Sequence, residues 1–271
     1  MKMIEFVGCE GVGKTTLYKT LMTNHVHSKK HILSEFEADH IITRNILKRN
    51  NSILQYAFIK GIKIPIISSS IHQKILQYER KKELYKYKKQ WEECIRILFN
   101  NHCNSNLTLR SSLYSYSALL TKIEKQALYE NYTSNHILIL EPGVFHKLNN
   151  ILMYFAEQDI DRVTTEIFSR IPIVPYGLVY FKDSAERISE RFCRREEIRE
   201  DWIQDIKDFN KSLAIHKVLV EQRIIHMGVD ILKKRGAEIV EIDATDDADK
   251  QLNIALTFIE KLRRLASQNR D

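Results

Sequence analysis

Met3-Ile4-Glu5-Phe6-Val7-Gly8-Cys9-Glu10-Gly11-Val12-Gly13-Lys14-Thr15-Thr16-Leu17 decides how this chain is read. A short apolar run, Met3 to Val7, ends at a glycine, and from Lys14 the residues favour a helix with apolar positions at helical spacing. Between them, Gly8 to Thr15 satisfies the pattern GxxxxGK[ST] in the order strand, loop, helix that a phosphate-binding loop requires. Backbone amides converge on a dense anion only where the loop takes conformations that glycine tolerates, and Gly8, Gly11 and Gly13 supply them around Val12. The helix start adds unpaired amides and the positive end of its dipole. Lys14 is placed to reach the outer phosphates, Thr15 offers a hydroxyl to Mg²⁺, and Thr16 continues the first turn.

Further short apolar runs follow at His31 to Leu33, His136 to Leu140, Tyr176 to Phe181 and Glu238 to Ile242. The stretches after them carry helical periodicity. Five strands alternating with helices predict an α/β fold of three layers, α/β/α, around a five-stranded parallel sheet. Between the second and third runs, residues from about 40 to 135 are rich in Lys, Tyr, Ile and Glu, which predicts a helical lobe inserted into that scaffold. Its Tyr78 to Lys89 segment reads as a solvated helix face before an acceptor-binding one. Near the end, apolar residues at 214, 218, 225 and 232 form a stripe that packs one long helix on the core. With 44% hydrophobic residues, only 8 Gly and 4 Pro, and no linker-like stretch, residues 1–271 read as a single domain.

The formal charge of +7 suits anionic ligands, but Lys and Arg are spread along the chain and no nucleic-acid-binding motif is present. The four cysteines show no CxxC spacing and the histidines no HExxH pair, so no structural zinc site is expected. No apolar run approaches the roughly 18 residues of a membrane span, and the first strand leaves no room for a leader. A cytoplasmic protein with free thiols is the expectation, its oligomeric state open, a homodimer included.

Phe6 to Thr16 is similar to the opening of thymidylate kinases. In that family a loop carboxylate stands at the position of Glu10 and faces the acceptor. Leu178-Val179-Tyr180-Phe181-Lys182-Asp183-Ser184-Ala185-Glu186-Arg187 resembles the fourth strand and next helix of nucleoside and nucleotide kinases, and arginines follow where those enzymes carry a mobile lid, here about residues 187–205. Ile242-Asp243-Ala244-Thr245 resembles their last strand and adenine-contacting turn. The resemblance implies a P-loop kinase fold that binds ATP and Mg²⁺, with Glu141 at the tip of the third strand helping to hold the metal through water. It also implies that Glu35 or Glu37, just past the second strand, is the base for a hydroxyl acceptor, as in deoxynucleoside kinases. Where thymidylate kinases show Asp-Arg and aromatic residues, this chain has Glu141-Pro142-Gly143, which argues against a true thymidylate kinase.

Arg187, Arg191, Arg195 and Arg199 are spaced by four and would stack on one helical face, with Arg194 beside them. Like charges at that spacing repel by roughly 0.2–0.5 kcal/mol per pair. Glu190, Glu196 and Glu197 offset part of this, and an anion bound against the stripe would remove the rest. A lid that neutralises a migrating phosphoryl group and a surface helix laced with ion pairs both fit. The expected roles are therefore catalytic for Lys14, Glu10, Glu35, Glu141, Arg191 and Arg195. Nucleotide binding falls to the loop, Arg187, Arg191, Asp243 and Ala244, and metal binding to Thr15 and Glu141. Arg110, Trp91 and His146 are weaker acceptor-site candidates. The expected activity is transfer of the γ-phosphoryl group of ATP to a small acceptor, anionic or not, such as a nucleoside, a nucleotide or a sugar. The alternatives are a nucleotide-dependent switch or ATPase that grips a macromolecule and, more remotely, a sulfotransferase-like protein.

Overall fold

The structure is a computed structural model, and it describes residues 1–24, 31–49, 65–102, 109–132, 134–193 and 211–268. The strands are β1 (Lys2–Val7), β2 (Ile32–Leu33), β3 (Ile137–Leu140), β4 (Gly177–Lys182) and β5 (Glu238–Asp243). The helices are α1 (Lys14–Asn24), α2 (Glu35–Arg49), α3 (Pro65–Tyr85), α4 (Lys88–His102), α5 (Leu109–Asn131), α6 (Val144–Leu152), α7 (Glu157–Arg170), α8 (Ala185–Cys193), α9 (Lys211–Lys234) and α10 (Ala248–Gln268). The five strands form one parallel sheet in the order β2-β3-β1-β4-β5.

Burial explains the composition of the strands. Every residue of β3 is buried, and so are Met3 to Val7 of β1, because a central parallel strand is covered on both faces. One face carries Ile4 and Phe6 toward α1 and α10, where Phe6 meets Tyr18 edge-on with ring centroids 6.5 Å apart. The other face turns Glu5 toward α6, and α5, α7 and α9 pack around that helix. The stripe at Ala214, Val218, Ile225 and Leu232 is buried on α9 as its spacing predicts. Among the described residues, no helix is long and apolar enough to cross a membrane.

The chain reverses its lateral course at β1. From β1 it runs outward to β2, returns to β3, then passes across β1 to β4 and β5. In open α/β sheets ligands bind beyond the carboxyl ends of the strands at such a reversal. Parallel register places the tips side by side there: Glu5 pairs with Leu140, Val7 with Tyr180 and Lys182 with Asp243. Glu141, Gly8, Asp183 and Ala244 therefore follow one another along a single edge.

Helices α3 and α5, which lie between β2 and β3, are tied to α2 by a buried polar network. Asp39 of α2 pairs with Arg80 of α3 at 2.8 Å and accepts the Tyr129 hydroxyl of α5 at 2.9 Å. Lys125 of α5 lies 3.9 Å from Asp39 and 2.6 Å from Glu35. On the opposite side, α10 presses so closely on β4 that a Cβ on Gly177 would lie 2.6 Å from Leu262 Cδ1 and 3.0 Å from Phe258 Cζ. Gly177→Val should therefore lower stability by about 1–3 kcal/mol, as overpacking does, read by chemical denaturation.

Candidate phosphate-binding site

The loop between β1 and α1 closes on itself and on the sheet. Gly8, Gly11 and Gly13 take φ of 148°, 88° and 109°. A Cβ on Gly8 would also lie 3.0 Å from both Cβ and the carbonyl oxygen of Phe181. Thr16 and Leu17 donate their amides to Gly13 O at 3.0 and 3.2 Å, which starts α1. Lys14 is buried at 6% exposure, and its Nζ donates to Gly8 O at 2.5 Å and Cys9 O at 2.8 Å. Both partners are neutral carbonyls. An ammonium taken out of water without an anion in contact is costly, so this is where an incoming phosphate has most to offer.

Thr15 and Glu141 meet in front of the loop, the Thr15 hydroxyl donating to Glu141 Oε1 at 2.9 Å. Glu141 Oε2 is buried without a hydrogen-bond partner. Burial raises the Glu141 carboxyl above its ordinary value, opposed by Lys14 and Thr15. Two adjacent hard oxygens, one of them unpartnered, fit a Mg²⁺ ion that keeps several of its waters.

Glu5, which sequence reasoning passed over inside an apolar run, lies fully buried beneath this pair. Helix α6 has no side-chain cap of its own at Gly143, and Glu5 supplies one from β1 by accepting the amides of Phe145 and His146, the latter at 3.0 Å. The fit requires glycine at 143, since a Cβ there would lie 2.2 Å from the Glu5 carboxyl carbon. Burial outweighs these amides and Lys122, and pushes the Glu5 carboxyl up to about 7. His146 moves the other way: burial first, then Lys14, Lys147 and Lys122, push its ring down to about 3. His146 is thus a neutral imidazole and not a cation for an acceptor.

The expected base, Glu35, is held by Lys122 at 2.5 Å and Lys125 at 2.6 Å, both from α5. Burial works against its charge, but the two ammonium groups prevail and keep the carboxyl below its ordinary value. A carboxylate so occupied is a weak proton acceptor, and its ion pairs join α5 to the start of α2. Glu37 is likewise engaged: it accepts the amide and hydroxyl of Ser34, both at 2.9 Å, in a capping box. Burial, then Glu35, Glu37 and Glu141, raise the Tyr18 hydroxyl, which places the start of α2 and the tip of β3 around one side chain of α1. Lys122 acts on Glu5, Glu141 and His146 as well, so the lobe delivers a cation to the site that no spacing in the sequence signals.

The arginine stripe is described as far as Arg191. Arg187 Nε lies 2.5 Å from Asp183 Oδ1 and Arg191 2.9 Å from Oδ2, so the anion that relieves their repulsion is the carboxylate at the tip of β4. Arg194, Arg195 and Arg199 lie outside the described residues. Asp243 folds its turn by accepting the amide and hydroxyl of Thr245 at 2.8 and 2.6 Å, and Ala244 donates its amide to Lys182 O at 2.8 Å. Trp91 is a core residue of α4 at 2% exposure. Arg110 is exposed in the first turn of α5, roughly 18 Å along the helix from Lys122. Neither joins the site.

Glu10 is exposed, and its amide donates to Oε1 of Glu221 on α9 at 3.2 Å. Glu221 is itself buried and also accepts Asn149 Nδ2 at 3.1 Å. Its position was legible, because residue 221 falls on the apolar stripe of α9, where a carboxylate is out of place. No protein-family model matches this chain, and no curated protein matches it in sequence.

For Glu5 the sign of the pH effect follows from its raised carboxyl. Protonated Glu5 is the form that burial favours, so its contribution is full below about 4.5, its ordinary value, and is lost as pH rises through about 7. Wild-type protein should lose up to roughly 3 kcal/mol relative to Glu5→Gln between pH 4.5 and 8, measured by denaturation at each pH.

Proposed function

We propose that this protein is an ATP- and Mg²⁺-dependent phosphotransferase that passes the γ-phosphoryl group to a small acceptor. The supporting observation is the buried Lys14 ammonium, bonded to neutral carbonyls of its own loop, beside the Thr15–Glu141 pair at the reversal point of the sheet. Triphosphate in the loop would exchange those carbonyls for phosphate oxygens and receive amides from the loop and the first turn of α1. Thr15 and Glu141 would hold Mg²⁺, which would neutralise charge on the phosphate groups. The turn at Asp243 and Ala244 stands on the same edge, where the resemblance to nucleoside and nucleotide kinases places adenine.

The protein's contribution to such a transfer is position and charge. Arg187 and Arg191 reach a phosphoryl group only by leaving Asp183, so their use as a lid requires exchange of one anion for another. With Glu35 engaged by two lysines, Glu10 is the exposed carboxylate of the loop and the better placed to meet an acceptor hydroxyl. Lys122 gives the acceptor side a cation, which suits an acceptor carrying negative charge.

Exposed side chains on the lobe, Tyr78, Tyr85, Leu113 and Tyr114, favour the second function, a nucleotide-dependent switch that binds a macromolecule. ADP release distinguishes the two. A panel of nucleosides, nucleotides and sugars should stimulate it if the protein is a kinase, whereas stimulation by a protein or nucleic acid alone would favour the switch. Lys14→Ala should reduce turnover about 100-fold or more while leaving the circular dichroism unchanged. Full activity in that variant would overturn the assignment.

A further inference from the structure

The geometry points to Glu221 as a positioning residue for the phosphate-binding loop, a role that deepens the proposed function and rests on it. Most of the loop is held from within, by the Val12 amide on Cys9 O and the Thr16 amide on Gly13 O. The Glu10 amide is different: its acceptor is a side chain 211 residues away. Glu221 is held for this task. It is 5% exposed, its Oε1 also takes the Asn149 amide nitrogen of α6 at 3.1 Å, and Cys9 faces the same carboxyl. A single carboxylate thus joins the loop, α6 and α9.

Two consequences follow. A loop amide spent on Glu221 is withheld from a bound anion, so the carboxylate selects which donors face the phosphates. Pinning the backbone at Glu10 also fixes the root of the Glu10 side chain, the exposed carboxylate of the loop. The next residue extends the link, since Gln222 Nε2 donates to Asp183 O at 2.8 Å, at the residue that holds Arg187 and Arg191. Adjacent side chains of α9 therefore hold the tips of β1 and β4 in one arrangement. Glu221 acts through the backbone and touches no reacting atom.

The test is Mg-ATP binding by calorimetry on the full chain, with wild type, E221Q, E221L and N149L, alongside amide hydrogen exchange at Glu10 and thermal melting. Glutamine keeps an acceptor oxygen, so E221Q should bind Mg-ATP within about threefold of wild type and keep the Glu10 amide protected. E221L removes the acceptor, and binding should weaken about tenfold, the equivalent of one hydrogen bond to a charged group, with the Glu10 amide exchanging fast. N149L tests the role without altering Glu221: it loosens the carboxylate and should give a smaller loss in the same direction. Leucine and glutamine variants that bind alike, or a protected Glu10 amide in E221L, would overturn the positioning role while leaving the proposed function standing. Wild-type protein that bound no Mg-ATP would overturn both.

Discussion

The ammonium of Lys14 stands almost out of water, and its hydrogen bonds end on the carbonyl oxygens of Gly8 and Cys9. Much of the surrounding arrangement follows from that charge. The loop must curl tightly enough to bring its own carbonyls to Nζ, which calls for positive φ at three glycines. The strand that delivers it must be fixed on both faces, and residues 3 to 7 of β1 are buried accordingly. Even the position of β4 is constrained, because Phe181 presses against Gly8.

Three carboxyl groups surround this point, Glu5 and Glu221 buried and Glu141 half-buried, and loss of water raises each of them. Lys14 draws Glu141 and Glu221 back toward ionisation, and Lys122 does the same for Glu5. Their duties differ with their partners. Glu5 receives helix amides and serves as the cap that α6 lacks, Glu221 receives a loop amide, and Glu141 meets Thr15 with one oxygen still unpartnered. Glu5 also keeps one oxygen unpartnered but is fully buried, whereas Glu141 meets the Thr15 hydroxyl of the loop. In so dry and charge-rich a place each of these pairings is worth more than it would be in water.

The scaffold was legible because its signals are repeated. Each strand is a run of apolar residues closed by a polar or glycine turn, and the stripe on α9 recurs four times, so single exceptions do not hide the pattern. The exceptions carry the site. Glu5 and Glu221 each interrupt an apolar pattern with one carboxylate, and a reading that averages over periodicity passes over both. Lys122 was invisible for another reason: its partner Glu35 is 87 residues away, and only the docking of α5 on α2 brings them together. The same docking pairs Glu35, expected as a base, with two ammonium groups. Asp183, four residues before Arg187, holds the first two arginines of the stripe, a partner that the spacing of the arginines alone does not signal. Trp91 went to the core, as large aromatic side chains on amphipathic helices commonly do.

The central claim is phosphoryl transfer and not nucleotide binding alone. The most direct measurement is to supply ATP labelled with ¹⁸O in the γ-phosphoryl group, together with a broad mixture of nucleosides, nucleotides and sugars, and to follow the label by mass spectrometry. The account predicts label in a phosphorylated small molecule, formed by wild type and not by Lys14→Ala. Label recovered only as inorganic phosphate, whatever the mixture contains, would contradict it.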